Sequence, residues 1–310
     1  MKFAIIGQQD FGKAVLEAFL ARGDEAVAVF CAPEKEGARP DALRAAAQQK
    51  GLSVHQFKSL RDPEAVRAMK EAGADIGIMA FVTQFAPQEF VTIPKHGTIQ
   101  YHPSLLPRHR GPSSINWPII QGDTETGLTI FRPTDGLDEG AVILQKKTPI
   151  GPDDTLGSLY FDRLFPMGVE AMLEAASLVL AGRHTETAQD ETKASYEGWC
   201  RAAEAKVDWA KPINQVYNLI RGCNPAPGAW TTYQGKQLQI FDAHKAGFRR
   251  FADVPGKIGE VTGVTAQSFQ VTAQGGLVEV LKARLADGKK MSGGELAQAG
   301  GIKAGGVLGD

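Results

Sequence analysis

Short apolar runs alternate with amphipathic runs from the first residues to about residue 120. Phe3 to Gly7 is apolar throughout and predicts a buried strand; in Phe11 to Arg22 apolar positions recur every three or four residues and predict a helix. Ala26 to Cys31 is the next strand, Pro40 to Lys50 a helix, Val54 to Phe57 a short strand and Pro63 to Ala72 a helix. Ile76 to Ala80 and Thr98 to His102 are further strands. Strands recurring with helical crossovers predict a parallel α/β sheet. After a helix near Ile115 to Ile120 the pattern changes. Gly127 to Arg132 and Ala141 to Lys147 are strands with no helix between them, which predicts an antiparallel edge. Thr155 to Leu180 is a long helical stretch with a kink or break expected at Pro166.

From about residue 184 to residue 205 the chain is polar and lacks periodicity, as a linker would. One helix follows, Pro212 to Arg221. Then come five short strands: Trp230 to Tyr233, Gln237 to Ala243, Lys257 to Thr262, Ser268 to Thr272 and Leu277 to Leu281. Gln234-Gly235 is a hairpin signal, and short strands with glycine-rich turns predict a small barrel. The expected fold is therefore α/β: a Rossmann-like, mostly parallel sheet with an antiparallel edge, plus a small C-terminal β-barrel (OB-like) domain. The expected boundaries are 1–185 for the catalytic domain, 186–205 for the linker and 206–310 for the barrel, with Gly293 to Gly309 as a partly mobile tail.

Composition narrows the classes. Hydrophobic residues make up 43% and charged residues 22% of 310, enough to bury a core without staples. The formal net charge of -1 gives the whole molecule no pull toward nucleic acid or membrane. Cys31, Cys200 and Cys223 are scattered, with no CxxC pair and no metal-ligand spacing. They are expected to be free thiols in a reducing cytoplasm, with no metal bound. No signal peptide is expected, since Met1 leads directly into the first strand. No run reaches eighteen apolar residues, so no membrane helix is expected either.

Two N-terminal motifs are decoys. Gly7-Gln8-Gln9-Asp10-Phe11-Gly12-Lys13-Ala14 nearly spells a phosphate loop, but Ala14 stands where a magnesium-binding hydroxyl is needed. The dinucleotide fingerprint fails at Gln9, where a glycine must let the pyrophosphate approach, and this argues against a Rossmann oxidoreductase. A tight strand-to-helix turn remains, with Gly7 allowing the turn and Gly12 close packing. It lies at the sheet edge where ligands bind, where it can shape an acceptor pocket.

The chemistry lies further on. A strand ends at His102, and alternation puts Gln100 and His102 on one side of it. Asp135-Gly136-Leu137-Asp138-Glu139-Gly140 is a glycine-bracketed loop presenting an acid between two strands. An amide, an imidazole and a carboxylate can stabilise an oxyanion, relay a proton and protonate a leaving nitrogen, without metal or covalent nucleophile. Read from the residues alone, His102 serves equally as a structural hydrogen-bonder, Asp138 as a turn cap and Gln100 as a sheet-edge polar residue.

The run His102-Pro103-Ser104-Leu105-Leu106-Pro107, followed by Arg110-Gly111, resembles the signature of the formyltransferase family. That family includes glycinamide ribonucleotide and methionyl-tRNA formyltransferases and the amino-terminal hydrolase domain of formyltetrahydrofolate dehydrogenase. Gly136 to Gly140 matches the family's acid-bearing loop, and the resemblance runs to about residue 290. It is nearest to the hydrolase domain, in Ile5-Ile6-Gly7-Gln8, Tyr101 to Gly111, Ala80-Phe81 with Gln84-Phe85, and Ala226 to Trp230. The resemblance implies an enzyme that takes the formyl group from 10-formyltetrahydrofolate and yields tetrahydrofolate. It implies an Asn, His and Asp trio, matched by His102 and Asp138, with Gln100 at the Asn position. It implies folate contact by the loop Phe81, Val82, Thr83, Gln84 and Phe85, with Ser104, Leu105, Leu106 and Pro107 along the same slot. For the aromatics Phe81 and Phe85, core packing is the alternative. Arg108, His109 and Arg110 are expected to meet the folate tail or an anionic acceptor, or to form a solvated basic turn.

The expected acceptor is water or a small amine such as an amino sugar. A methionyl-tRNA formyltransferase is the alternative, and it needs a basic surface for RNA. The stretch Pro33 to Pro40, where the tRNA enzymes carry a basic insertion, is short and of mixed charge here. The C-terminal part has only Arg249-Arg250 and Lys289-Lys290 as basic clusters. A folate-binding protein without turnover is a further reading.

Overall fold

The computed structural model describes residues 1–286 and 288–309. In chain order its first elements are β1 (Lys2–Gly7), α1 (Gln9–Ala21), β2 (Glu25–Cys31), α2 (Ala42–Gln49), β3 (Val54–Gln56) and α3 (Pro63–Ala72). Then come β4 (Ile76–Ala80), α4 (Gln88–Val91), β5 (Thr98–His102), α5 (Asn116–Gln121), β6 (Glu125–Phe131) and β7 (Val142–Pro149). Local chemistry sets the boundaries. At α3, Asp62 caps the first turn through the Glu64 N–H, Pro63 starts the helix with its φ preset, and Gly73 ends it in a left-handed conformation.

These strands form one seven-stranded sheet in the order β3-β2-β1-β4-β5-β6-β7. β1 is parallel to both β2 and β4, β4 is parallel to β5, and β6 runs antiparallel to β5. The parallel sheet with an antiparallel edge is thus as expected. Strand order reverses between β1 and β4, and an open α/β sheet offers its ligand crevice at the carboxyl ends of such strands. Alternation splits the core in two. Phe3 and Ile5 pack with α1 and α2 residues on one face, and Ala4 and Ile6 with α3 and α4 residues on the other.

The predicted helix over Thr155 to Leu180 is broken, but ahead of Pro166. A short α6 (Leu156–Leu159) passes through a π-helical turn (Tyr160–Leu164) into α7 (Phe165–Leu180), whose first turn holds the proline. Pro166 has no N–H for the Asp162 carbonyl four residues back, and the π-helical turn immediately ahead of it accommodates that missing bond.

The second sheet is antiparallel: β8 (Ala229–Tyr233), β9 (Lys236–Gly247), β10 (Val261–Val264), β11 (Phe269–Ala273), β12 (Gly276–Leu285) and β13 (Met291–Ser292). Its path is β10-β11-β12-β9-β8, with β13 added beside β12, and α8 (Ile213–Gly222) precedes it. Gln234 and Gly235 both have positive φ, 51° and 72°, as a two-residue hairpin turn requires. The Gly/Ala-rich tail carries regular structure. Its first half is α9 (Gly293–Gly300), started by a capping box between Ser292 and Glu295. Its second half pairs Val307 with Glu260 and Leu308 with Tyr233, joining the ends of the sheet near β10 and β8. Small residues permit this: a Cβ at Gly293 would lie 2.0 Å from the Val280 carbonyl oxygen.

The chain divides into two compact units that do not follow it in two consecutive blocks. One comprises Met1–Gly111, Gly127–Thr148 and Arg163–Tyr196; the other comprises Pro112–Thr126, Pro149–Asp162 and the residues from Glu197 onward. Residues 187–196 therefore belong to the first unit, although their polar composition resembles a linker.

Candidate active site

Everything that follows lies in the first unit. β1, β4 and β5 end at Gly7, Ala80 and His102, side by side in the sheet. A Cβ on Gly7 would sit 1.9 Å from the Ala80 carbonyl oxygen, so only glycine lets these strand ends close. Gln8 and Thr83 join the loops after β1 and β4 through a side-chain hydrogen bond of 3.0 Å.

His102 is 6% exposed, and its two ring nitrogens face different partners. Nε2 lies 2.8 Å from the His109 carbonyl oxygen, which can only accept, so Nε2 carries a hydrogen. Nδ1 then faces Asp138 Oδ2 at 3.7 Å. That is too long for a direct hydrogen bond, yet one oxygen atom can sit at about 2.8 Å from both. Asp138 is 9% exposed, with φ of 55°, and Oδ2 accepts the Gly111 N–H at 2.9 Å. Gln100 pairs with Met79 and Phe131 in the sheet and lies on the same side of β5 as His102. Among the described residues no group hydrogen-bonds its side-chain amide, which leaves that amide available.

The folate-loop candidates split in character. Phe81 and Phe85 are 45% and 44% exposed, so they are not core residues. Phe81 turns off β4 with φ of 59°, and Phe85 is stacked under the Arg61 guanidinium at 4.6 Å. Val82 is half-buried and Thr83 exposed; Gln84 is half-buried, with its amide donating to the Phe57 carbonyl at 2.7 Å. Ser104 is fully buried, and its hydroxyl donates to the Arg108 carbonyl at 2.7 Å. It therefore shapes the turn from within. Leu105 is half-buried, whereas Leu106 and Pro107 line a cavity of about 280 Å³ with Val142 to Gln145 and Thr187 to Asp190. Gln100, His102 and Asp138 do not line it.

Neither expectation for the Arg108 to Arg110 turn holds at its last two residues. Arg110 is 7% exposed and forks onto the Glu191 carboxylate at 2.7 and 2.9 Å, so it is neither solvated nor open to a ligand. The Glu191 hydrogen bond drives the Arg110 pKa up against burial, and the same bond draws the Glu191 carboxyl down. His109 is buried with φ of 56° and gives its carbonyl to His102.

Supporting residues emerge that the sequence pattern did not mark. Thr129 donates to the Ser104 carbonyl and accepts from the Leu106 N–H, and Gln145 donates to Leu106 O and Thr129 Oγ1. Ser195 accepts the His109 N–H at 2.9 Å. Among the described residues no three His, Cys, Asp or Glu side chains gather as a metal site, and no helix is long and apolar enough to cross a membrane.

A formyl transferase family profile matches residues 1–176, and a formyl transferase C-terminal domain profile matches residues 200–300. The chain belongs to the formyl transferase family. The mitochondrial 10-formyltetrahydrofolate dehydrogenase of Mus musculus is 41% identical over 246 residues, covering 78% of this chain and 26% of that protein. The chain thus spans about a quarter of the length of that relative. The methionyl-tRNA formyltransferase of Geotalea daltonii is 33% identical over 314 residues, covering 100% of this chain and 98% of that one. Among solved structures, HypX from Aquifex aeolicus in complex with tetrahydrofolic acid has a TM-score of 0.66 at 19% identity, over 96% of this chain and 47% of that one. That likeness is one of fold.

Proposed function

We propose that this chain removes the formyl group from 10-formyltetrahydrofolate and passes it to water or a small amine. The observation that carries this reading is the Asp138 carboxylate facing His102 Nδ1, beside the unengaged Gln100 amide at the β5 carboxyl end. The names of its relatives support the donor: one is a 10-formyltetrahydrofolate dehydrogenase, and a protein of like fold is complexed with tetrahydrofolic acid.

The folate lies between the Phe81 to Phe85 loop and the loop carrying Asp138. The acceptor's oxygen or nitrogen adds to the formyl carbon from the Gly7 to Asp10 side. Its proton passes to the pair formed by His102 Nδ1 and Asp138, so that the protonated Nδ1 and the Gln100 amide donate to the oxyanion that forms on the carbonyl oxygen. The oxyanion then re-forms the carbonyl, and the C–N10 bond breaks as N10 takes that proton back from the pair. Tetrahydrofolate leaves, with formate from water or a formamide from an amine.

A second reading, transfer to methionyl-tRNA, is favoured by the end-to-end similarity to the Geotalea daltonii enzyme. The test is to supply 10-formyltetrahydrofolate alone and follow tetrahydrofolate, with His102→Ala alongside. Release that needs His102 supports water as acceptor. Release only with an amino sugar or with charged initiator tRNA assigns the acceptor instead. Folate binding with no release under any condition overturns the catalytic reading in favour of a folate-binding protein.

A further inference from the structure

Gln189 lies in the aperiodic stretch after α7, yet its amide is used at both ends. Oε1 accepts from Arg110 Nε at 3.2 Å and Nη2 at 2.8 Å. Nε2 donates to the Asp138 and Gly140 carbonyl oxygens, each at 2.8 Å. Arg110 is itself fixed by Glu191, so the acceptor end of the amide has a rigid anchor. The donor end grips the loop at the residue whose side chain faces His102. That residue holds a left-handed backbone, φ 55°, which an L-residue leaves readily unless its surroundings fix it.

We infer that Gln189 is a positioning residue for formyl release: its two donated bonds hold the Asp138 loop so that Oδ2 stays on the Gly111 N–H and within reach of His102 Nδ1. This rests on the proposal that Asp138 is a reacting group. Arg110 orients the amide, and no other arrangement of Gln189 serves both the guanidinium and two carbonyls. Flipping the amide would set its oxygen against both carbonyls and its NH2 against the Arg110 guanidinium.

The test uses Gln189→Leu, which removes all four bonds, and Gln189→Glu, which keeps an acceptor for Arg110 but loses both donors. Two readouts are taken. The first is hydrogen exchange of the Gly111 amide, which needs no turnover: it should accelerate in both variants, and unchanged exchange overturns the inference. The second is formyl release in a double-mutant cycle with Asp138→Asn. Each Gln189 variant alone should lower kcat on the order of 10²-fold with KM for the folate nearly unchanged. In the Asp138→Asn background the same change should add no further loss. An equal loss in both backgrounds, or wild-type activity in Gln189→Glu, overturns it as well. Full activity in Asp138→Asn alone would instead sink the reading of Asp138, and Gly111 exchange would still decide whether Gln189 holds the loop.

Discussion

His102 and Asp138 meet through one nitrogen only: Nε2 is committed to the His109 carbonyl, so Nδ1, 3.7 Å from Asp138 Oδ2, is where a proton can be exchanged. A backbone oxygen thus sets the tautomer and leaves Nδ1 as the exchanging atom. His102→Ala and Asp138→Asn should each lower kcat for formyl release by about 10²- to 10⁴-fold, the range for positioned acid–base groups. The folate dissociation constant, read by fluorescence titration, should stay within a few-fold. Loss of binding in place of rate would overturn these roles.

Gln100 is predicted to act on the developing oxyanion. Gln100→Leu should cost on the order of 10²-fold in kcat, as loss of one such donor does, while Gln100→Asn should keep part of the rate. Steady-state kinetics with both variants checks this, and wild-type turnover in Gln100→Leu would remove Gln100 from the site.

Phe81 and Phe85 are exposed where core aromatics would be buried, and the proposed reading has both rings meet the folate. Phe81→Ala or Phe85→Ala should weaken folate binding by about 3- to 10-fold, the value of one aromatic contact, with kcat nearly unchanged. Titration of the two single variants and the double variant tests it.

Glu34 sets an acid limit on the first unit. Burial pushes its carboxyl up, but the Asp41 N–H, the Gln56 amide and the Arg44 guanidinium more than offset that, bringing it from 4.5 to about 2. The folded pKa is depressed, so this contribution is present above about 4.5 and is lost as pH falls toward 2. The urea midpoint of the wild type should exceed that of Glu34→Gln at neutral pH, and the gap should close across that window.

Cys31, Cys200 and Cys223 are all buried. Burial, with Asp41 and Glu34 nearby, pushes the Cys31 thiol up to about 12. The Cys223 hydrogen bond draws the Cys200 thiol down, but burial still shields it, so a disulfide reagent at mildly alkaline pH should find no fast-reacting thiol in the native protein and three in denaturant. A fast thiol in the folded state would contradict the packing.

Short continuous apolar runs and period-3.6 patterns made β1 to β5 and the helices α1 to α3 legible, because both faces of that sheet are covered and each helix shows its buried side. His102 and Asp138 were legible through the motif around them. Gln189 and Ser195 were not. Each acts by hydrogen-bonding a loop's backbone, an interaction that leaves no periodic trace and looks like linker composition. Ser104 was misleading for the opposite reason. It stands inside the signature, but its hydroxyl is consumed in forming the turn.

The interleaving of the two units has a consequence for synthesis. Residues 112–126 leave the ribosome well before the segment from Glu197 onward with which they form one unit. The first unit, in turn, cannot close until Tyr196 has emerged. Gln100, His102 and Asp138 are thus all translated before residues 187–196, whose Gln189 and Ser195 hydrogen-bond the loops of Asp138 and His109, so the candidate site takes its final form only once that late segment arrives.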